Sequence, residues 1–433
     1  MEAIAVIAIF DIGKTNKKLL LFDEHYKVLW ERATPFEEIT DEDGFPCENI
    51  EALSNWIQVS LETLLEDNRF AIKAINFSAY GASFVYLDKE GKTIPPLYNY
   101  LKPFPSELSK KFYLDYGGEQ KISKETASPV LGNLNSGMQL YRIKHQLPGK
   151  YQNIETALHL PQFLSYLLTG NCYSDDTSIG CHTQLWNFNK KDYHDWVTEE
   201  GIDGKLAPIK QCDSVGGYFN QWIPVGVGIH DSSAALIPYL ISFTEPFILL
   251  STGTWCISLN PFNHQALTDD ELRQDCLCYI SFKGNPVKAS RLFAGYEHEQ
   301  AVKKLAAQFD KPLDYYATVS FDARLLTNLE ADTYESAYHQ LMARIIHQQV
   351  ISTNLVLTGT NVRKIFVDGG FSKNPIYMQL LADNFPGIEI YAASIPQASA
   401  LGAALAIHHH WNEQPIPTDI IELKFYASKI SFE

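Results

Sequence analysis

The chain has 433 residues, with 35 Lys plus Arg against 51 Asp plus Glu, a formal net charge of −16. Its length predicts two or three domains, and 45% hydrophobic with 20% charged residues is a globular composition, which excludes a disordered, fibrous or small disulfide-stapled protein. The acidic excess, without a cluster of Lys and Arg, sets aside nucleic acid and anionic membranes as partners, because both are held through clustered cations.

The opening run A-I-A-V-I-A-I-F, residues 3–10, reads as a fully buried strand. It is the longest apolar run and falls well short of the ~20 residues of a spanning helix; no basic segment precedes it as in a signal peptide, so the expected compartment is cytoplasmic. The run breaks at Asp11-Ile12-Gly13-Lys14-Thr15-Asn16-Lys17-Lys18 and resumes as Leu19-Leu20-Leu21-Phe22, which predicts a tight hairpin with a polar, glycine-bearing tip. A strand over 28–33 comes next, then a helix over 49–66 with Ile50, Leu53, Ile57, Leu61 and Leu64 on one face. A further strand over 71–77 ends at Ser78-Ala79-Tyr80-Gly81, so the chain begins as alternating α/β structure.

The same grammar returns after residue 227. Residues 226–230 lead into Asp231 and a small-residue helix over 232–240; a strand over 246–250 is broken by Ser251-Thr252-Gly253-Thr254 and resumes over 255–259. Strand, glycine-threonine turn, strand thus occurs twice, which predicts a duplicated architecture divided into 1–227 and 228–433. A long helix over 334–357 and a buried strand over 365–367 follow, the strand ending in Asp368-Gly369-Gly370. Asn374 and Pro375 then supply a preferred cap and first residue for another helix. The last helix, 398–407, carries Ala400, Gly402, Ala403 and Ala404, small side chains that permit close packing.

Seven cysteines with no C-x-x-C pair predict reduced, mostly buried thiols, not a disulfide framework or zinc site. The run His408, His409, His410 continues into Trp411 and reads as a native helix end.

Four constellations carry chemistry. Asp11 with Gly13, Lys14, Thr15, Asn16 and Lys17 combines backbone donors, a hydroxyl and ammonium groups with a carboxylate able to hold hydrated Mg²⁺, the set that phosphate oxygens require; an ordinary hairpin turn is the plain alternative. The turn with Thr252, Gly253 and Thr254 repeats the set without a carboxylate. Asp231 precedes a helix, where the dipole favours its ionised form and suits it to accept a proton from a substrate hydroxyl, or simply to cap. Asp368-Gly369-Gly370-Phe371 would let a flat purine lie against bare backbone.

Taken in order, D-I-G-K-T-N, G-I-H-D-S-S-A-A-L, S-T-G-T-W, V-D-G-G-F-S-K-N-P and Q-A-S-A-L-G-A-A-L resemble the FGGY family of carbohydrate kinases over essentially the whole chain, closest to its rhamnulokinase and fuculokinase branch. The resemblance implies an α/β fold of two actin-like (ribonuclease-H-like) domains around a cleft, with 1–227 binding sugar and 228–433 supplying the base and adenosine site. It implies ATP and Mg²⁺ as cofactors and a small ketose, such as L-rhamnulose or L-fuculose, as acceptor; a homodimer is left open. Carried over residue by residue, Asp231 is the general base and Asp11 holds Mg²⁺ through water. Gly13, Lys14, Thr15, Asn16, Lys17, Thr252, Gly253 and Thr254 meet the phosphates. Gly369, Gly370, Phe371 and Asn374 meet the adenosine, and Gly81, His230, Ser232 and Asn99 the sugar. Tyr98-Asn99-Tyr100 departs from the Tyr-Arg-Asp of many members, and a pentulose or polyol kinase or a sensor without turnover are the alternatives.

Overall fold

The computed structural model describes residues 3–14, 16–326, 331–395 and 397–429. Two seven-stranded sheets organise it. In the first, β1 (Ile4–Ile12) pairs antiparallel with β2 (Lys17–Asp23), which pairs with β3 (Val28–Thr34). After helix α1 (Ile50–Glu66), capped by the Asn49 side chain, β4 (Phe70–Ala79) returns parallel beside β1. β5 (Val215–Phe219), β6 (Ile223–Gly226) and β7 (Ile229–His230) complete this sheet beyond β4.

Helix α2 (Asp231–Ser242) leads to the second sheet, where β8 (Phe247–Thr252) pairs antiparallel with β9 (Cys256–Asn260). β10 (Cys276–Ile280) and β11 (Pro286–Leu292) extend it on the β9 side. Helices α3 (Ala294–Gln308) and α4 (Tyr334–Leu357) precede β12 (Lys364–Gly369), which lies parallel beside β8. Helix α5 (Pro375–Asn384), β13 (Glu389–Ser394), helix α6 (Ala398–Ala406) and the edge strand β14 (Glu422–Tyr426) follow. In each sheet a parallel strand lies on one side of the hairpin's first strand and the hairpin partner on the other, so the duplication read from the two glycine-threonine turns is present in the topology.

The continuous apolar runs are explained by burial on both faces. Val6, Ala8, Phe10 and Ile12 of β1 pack toward α1, while Ile7 and Ile9 face a second core shared with α2 and α6. Leu249 of β8 enters that same middle core, and Ile248 and Leu250 face a third beneath α4. Helices α2 and α6 are therefore the layer between the sheets. Their small residues permit it: a Cβ on Gly402 would stand 1.8 Å from the Ala234 carbonyl oxygen, and Asn76 of β4 donates to the Ala403 carbonyl at 2.8 Å.

Strand ends differ from the hydrophobic reading. β1 runs on through Asp11 and Ile12, paired with Lys18 and Lys17, and β8 through Ser251 and Thr252. The backbone ladder continues past the last apolar side chain, since pairing depends on main-chain groups. This shortens the first turn to residues 13–16 and sets Asp11 on a rigid strand. Among the described residues no helix is long and apolar enough to cross a membrane.

Candidate active site

Asp11 is the next-to-last residue of β1, half-buried, and Ser399 in the first turn of α6 donates to its Oδ2 at 2.9 Å. Burial pushes the Asp11 carboxyl up to about 6; the Ser399 bond opposes the rise and the charge of Asp231 adds to it. Asp231 is the first residue of α2. Its Oδ1 accepts the Ser232 N–H at 2.6 Å and the Ser232 hydroxyl at 3.3 Å, and the His230 Nε2 stands 3.3 Å away. Burial raises Asp231 also to about 6, and about a third of its side chain stays accessible. Asp368, near the end of β12, is raised to about 6 by burial. Asp231, Ser232, Ser251, Asp368, Gly369, Gln397 and Ser399 line one cavity of about 330 Å³. Three carboxylates from three strand or helix ends thus converge where sheet ends and helix N-termini meet, each in an environment that disfavours its charge.

The first turn is closed by the Gly13 N–H donating to the Asn16 carbonyl at 2.9 Å. Asn16 is exposed, and Lys14 pairs with Glu38 at 2.8 Å. Thr15 lies outside the described residues. Lys17 is placed differently from expectation: its ammonium is buried, 2.8 Å from Glu48 Oε1 and 3.0 Å from the Lys14 carbonyl, because alternation along β2 turns it off the tip. Lys18 instead reaches Gln397 at 2.9 Å and Glu31 at 3.0 Å, and its charge is felt at Asp11.

In the second turn Gly253 and Thr254 are exposed, and the Gly253 N–H donates to the Trp255 carbonyl at 2.9 Å. Thr252 is buried and its hydroxyl is occupied: it donates to the Asp368 carbonyl and accepts the Phe371 N–H at 3.0 Å, tying this turn to the Gly369-Gly370 turn. Gly369 sits at φ +87°, and a Cβ there would come within 2.0 Å of the Thr252 carbonyl oxygen, so only glycine fits. Beside these turns opens a cavity of about 460 Å³ lined by Gly253, Gly295, His298, Tyr316, Phe371 and Asn374 among others. Gly295, in the first turn of α3, was invisible in the sequence patterning; a Cβ on it would stand 1.8 Å from the Gly253 carbonyl oxygen. His298 and Tyr316 were missed as well, since α3 and the short turn Tyr315–Thr318 carry no motif.

On the other side of Asp231, Gly81 makes room for the His230 ring, which a Cβ would meet at 2.8 Å. Burial keeps His230 neutral, its pKa near 3, and its Nε2 lies 3.1 Å from the Cys181 sulfur. His182 and Tyr279 contact His230 edge-on or tilted, with centroids 6.4 and 5.5 Å away. Tyr100 packs on Tyr80, and its hydroxyl is pushed up to about 12 by burial and then by the Asp231 charge. Asn99 is turned differently from the expected sugar contact: its amide donates to the Pro46 carbonyl at 3.1 Å and accepts the Leu101 N–H at 3.0 Å, so it braces the loop that presents Tyr100. Phe84 stacks on His159 and Tyr98 lies under Arg142, both within the core.

Comparison with known proteins bears on the family and the fold. The N-terminal domain of the FGGY family of carbohydrate kinases matches residues 6–237, a carbohydrate kinase FGGY C-terminal domain matches 244–328, and the family's C-terminal domain matches 324–411. A rhamnulokinase from Mannheimia succiniciproducens is 23% identical, over 92% of this chain and 88% of its own length. A probable L-xylulose kinase from Pasteurella multocida is 24% identical, over 93% and 90%. Ligand-bound xylulose kinase from Lactobacillus acidophilus superposes with a TM-score of 0.82 at 16% identity, covering 98% of this chain and 94% of that one, which shows a common fold.

Proposed function

The chain belongs to the FGGY family of carbohydrate kinases and is a sugar phosphotransferase with the two-domain actin-like fold, and on that premise we propose that it transfers the γ-phosphoryl group of ATP to a hydroxyl of a small deoxy-ketose, L-rhamnulose or L-fuculose. The observation that carries this is the setting of Asp231. It is held on a helix N-terminus by the Ser232 N–H, with the imidazole of His230 and the Tyr100 ring on one side and the carboxylates of Asp11 and Asp368 on the other. A carboxylate with pKa about 6 is ionised at neutral pH and more basic than an ordinary one, which suits it to take the proton of the attacking hydroxyl.

The chain's other residues position the nucleotide. Exposed Gly253 and Thr254, with Gly13 and Asn16 of the first turn, meet the phosphates; Gly369, Gly370, Phe371 and Asn374 border the cavity for the adenosine. Burial disfavours the charge of all three carboxylates and the Asp231 charge adds to that at Asp11, a setting that fits a divalent cation, and Asp11 is the residue that would hold Mg²⁺ through water. When bound, Mg²⁺ offsets charge on the phosphate oxygens. Because the transition state is loose, alignment by the two turns contributes more than proton removal. Gly81, His230 and Ser232 form the sugar side. Seven free thiols, six of them buried, suit a reducing cytoplasm.

The test is sugar-dependent ADP release with Mg-ATP across L-rhamnulose, L-fuculose, L-ribulose, D-xylulose, D-ribulose and glycerol. Turnover concentrated on a deoxy-ketose supports the proposal; preference for a pentulose moves the substrate and keeps the chemistry. L-Xylulose belongs on the panel, because the relative named for it matches as much of this chain as the rhamnulokinase does. Nucleotide binding with no turnover on any sugar would turn the reading toward a sensor.

A further inference from the structure

The cavity beside the Gly253 and Gly370 turns contains a hydrogen-bond chain whose direction is determined. The Asn374 side-chain oxygen accepts two backbone N–H groups, of Ile376 at 3.0 Å and Tyr377 at 3.1 Å, as it caps α5. Its amide nitrogen must then be the atom that faces Tyr338, and it donates to the Tyr338 oxygen at 2.6 Å. Tyr338 is fully buried, and its own hydrogen has one partner in reach, the Nε2 of His298 at 2.9 Å. A buried hydroxyl hydrogen left unpaired would cost about 1–3 kcal/mol, so Tyr338 donates and Nε2 accepts. Burial holds the His298 ring neutral, its pKa near 4. A neutral imidazole with Nε2 bare carries its proton on Nδ1. Among the described residues Nδ1 has no hydrogen-bond partner, and the ring lines the cavity with Tyr316 and Phe371 packed edge-on against it at 5.0 and 5.2 Å.

We propose that His298 is a specificity residue of the nucleotide site: its Nδ1–H donates to a ring nitrogen of the purine base, and Asn374 through Tyr338 holds the tautomer that makes this possible. This rests on the assignment of the cavity to the adenosine. With both lone pairs of its oxygen used by backbone and one amide hydrogen given to Tyr338, Asn374 has a single hydrogen left for a base. Its main part is to orient His298, at second hand. The base is then met by donors, so the groups it must offer at this edge are acceptors.

The experiment compares ATP with its 1-deaza, 3-deaza and 7-deaza analogues, each lacking one ring acceptor, as phosphoryl donors for the wild type, His298→Phe and Tyr338→Phe. In the wild type one analogue should raise the nucleotide KM about fivefold, the weight of one neutral hydrogen bond. In His298→Phe, ATP and that analogue should have equal KM, because the donor that told them apart is gone. Tyr338→Phe, which removes the oxygen but keeps the ring, should lose most of the same discrimination because Nε2 is no longer tied. Analogue penalties that are the same in wild type and His298→Phe overturn the inference, as does a variant that loses kcat and sugar affinity alike while the penalties persist. Direct binding of ADP separates the two readings: if ADP does not protect or bind the wild-type protein, the assignment of the nucleotide site itself fails.

Discussion

The Ser399 hydroxyl donates to Asp11 Oδ2 at 2.9 Å across 388 positions of sequence, joining the end of β1 to the first turn of α6. It stabilises the charged form of a carboxylate whose burial has already lifted its pKa to about 6. In Ser399→Ala that support is lost and the Asp11 pKa rises by about one unit. The apparent Mg²⁺ affinity at pH 6.5 should fall severalfold and recover by pH 8. An affinity unchanged at both pH values would remove Asp11 from the metal.

Asp231→Asn should lower turnover at least ~100-fold, the lower range for loss of a general base, while ADP binding stays within about twofold. In the wild type the base must be ionised, so activity should fall as pH drops through about 6, where Asp231 protonates. Near-normal turnover of the variant at pH 8 would take the role from this residue.

The same carboxylates work against stability. Asp11, Asp231 and Asp368 each have a folded pKa raised to about 6 above an ordinary value of 3.8. Between these values the folded state binds more protons than the unfolded one, so stability contributed by the protonated form is full below about pH 4 and is lost as pH rises through 6. Asp368→Asn should therefore stabilise the fold at pH 7.5 by about 1 kcal/mol after solvent screening, read as a higher thermal midpoint, and leave the midpoint unchanged at pH 4. A midpoint lowered at pH 7.5 would contradict this.

Lys17 and Glu48 form a buried pair with side chains 3% and 4% accessible. Glu48→Ala strands the ammonium and should cost about 3 kcal/mol in denaturant unfolding, whereas Lys17→Met with Glu48→Leu should recover most of it. Equal loss in single and double variants would show that packing, not charge, is what the site requires.

Gly402→Ala places a Cβ 1.8 Å from the Ala234 carbonyl oxygen in the layer between the sheets. The helices must separate, at about 1–3 kcal/mol. A thermal midpoint equal to the wild type would mean that α2 and α6 can slide apart freely.

Much of this protein is legible along the chain because its elements are local. Helix α4 has the predicted ends, Tyr334 and Leu357, since its apolar period and Thr333 cap are written in adjacent residues. The two glycine-threonine turns, Asp231 and the Gly369-Gly370 turn were named from sequence for a similar reason: glycine and acidic residues stand out where a strand stops. Lys17 and Asn99 went the other way. Each is polar and sits next to a motif, but the side a strand residue faces and the partner a loop amide finds depend on Glu48 and on the Pro46 carbonyl, 31 and 53 positions away.

Within the chain, the hydrophobic period and turn chemistry of a few residues at a time determined the alternating α/β character and the repeated strand-turn-strand, while the actin-like fold and the candidate base were implied by the resemblance that the order of the motifs carries. Only the tertiary structure decided which groups meet. Asp11, Asp231, Asp368 and Ser399 come from four distant segments, and their shared burial raises the carboxylate pKa values. Gly295, His298 and Tyr316 come to line one cavity only when α3 is laid against the Gly253 turn. Burial and long-range hydrogen bonding are properties of packed neighbours, and no single segment carries them.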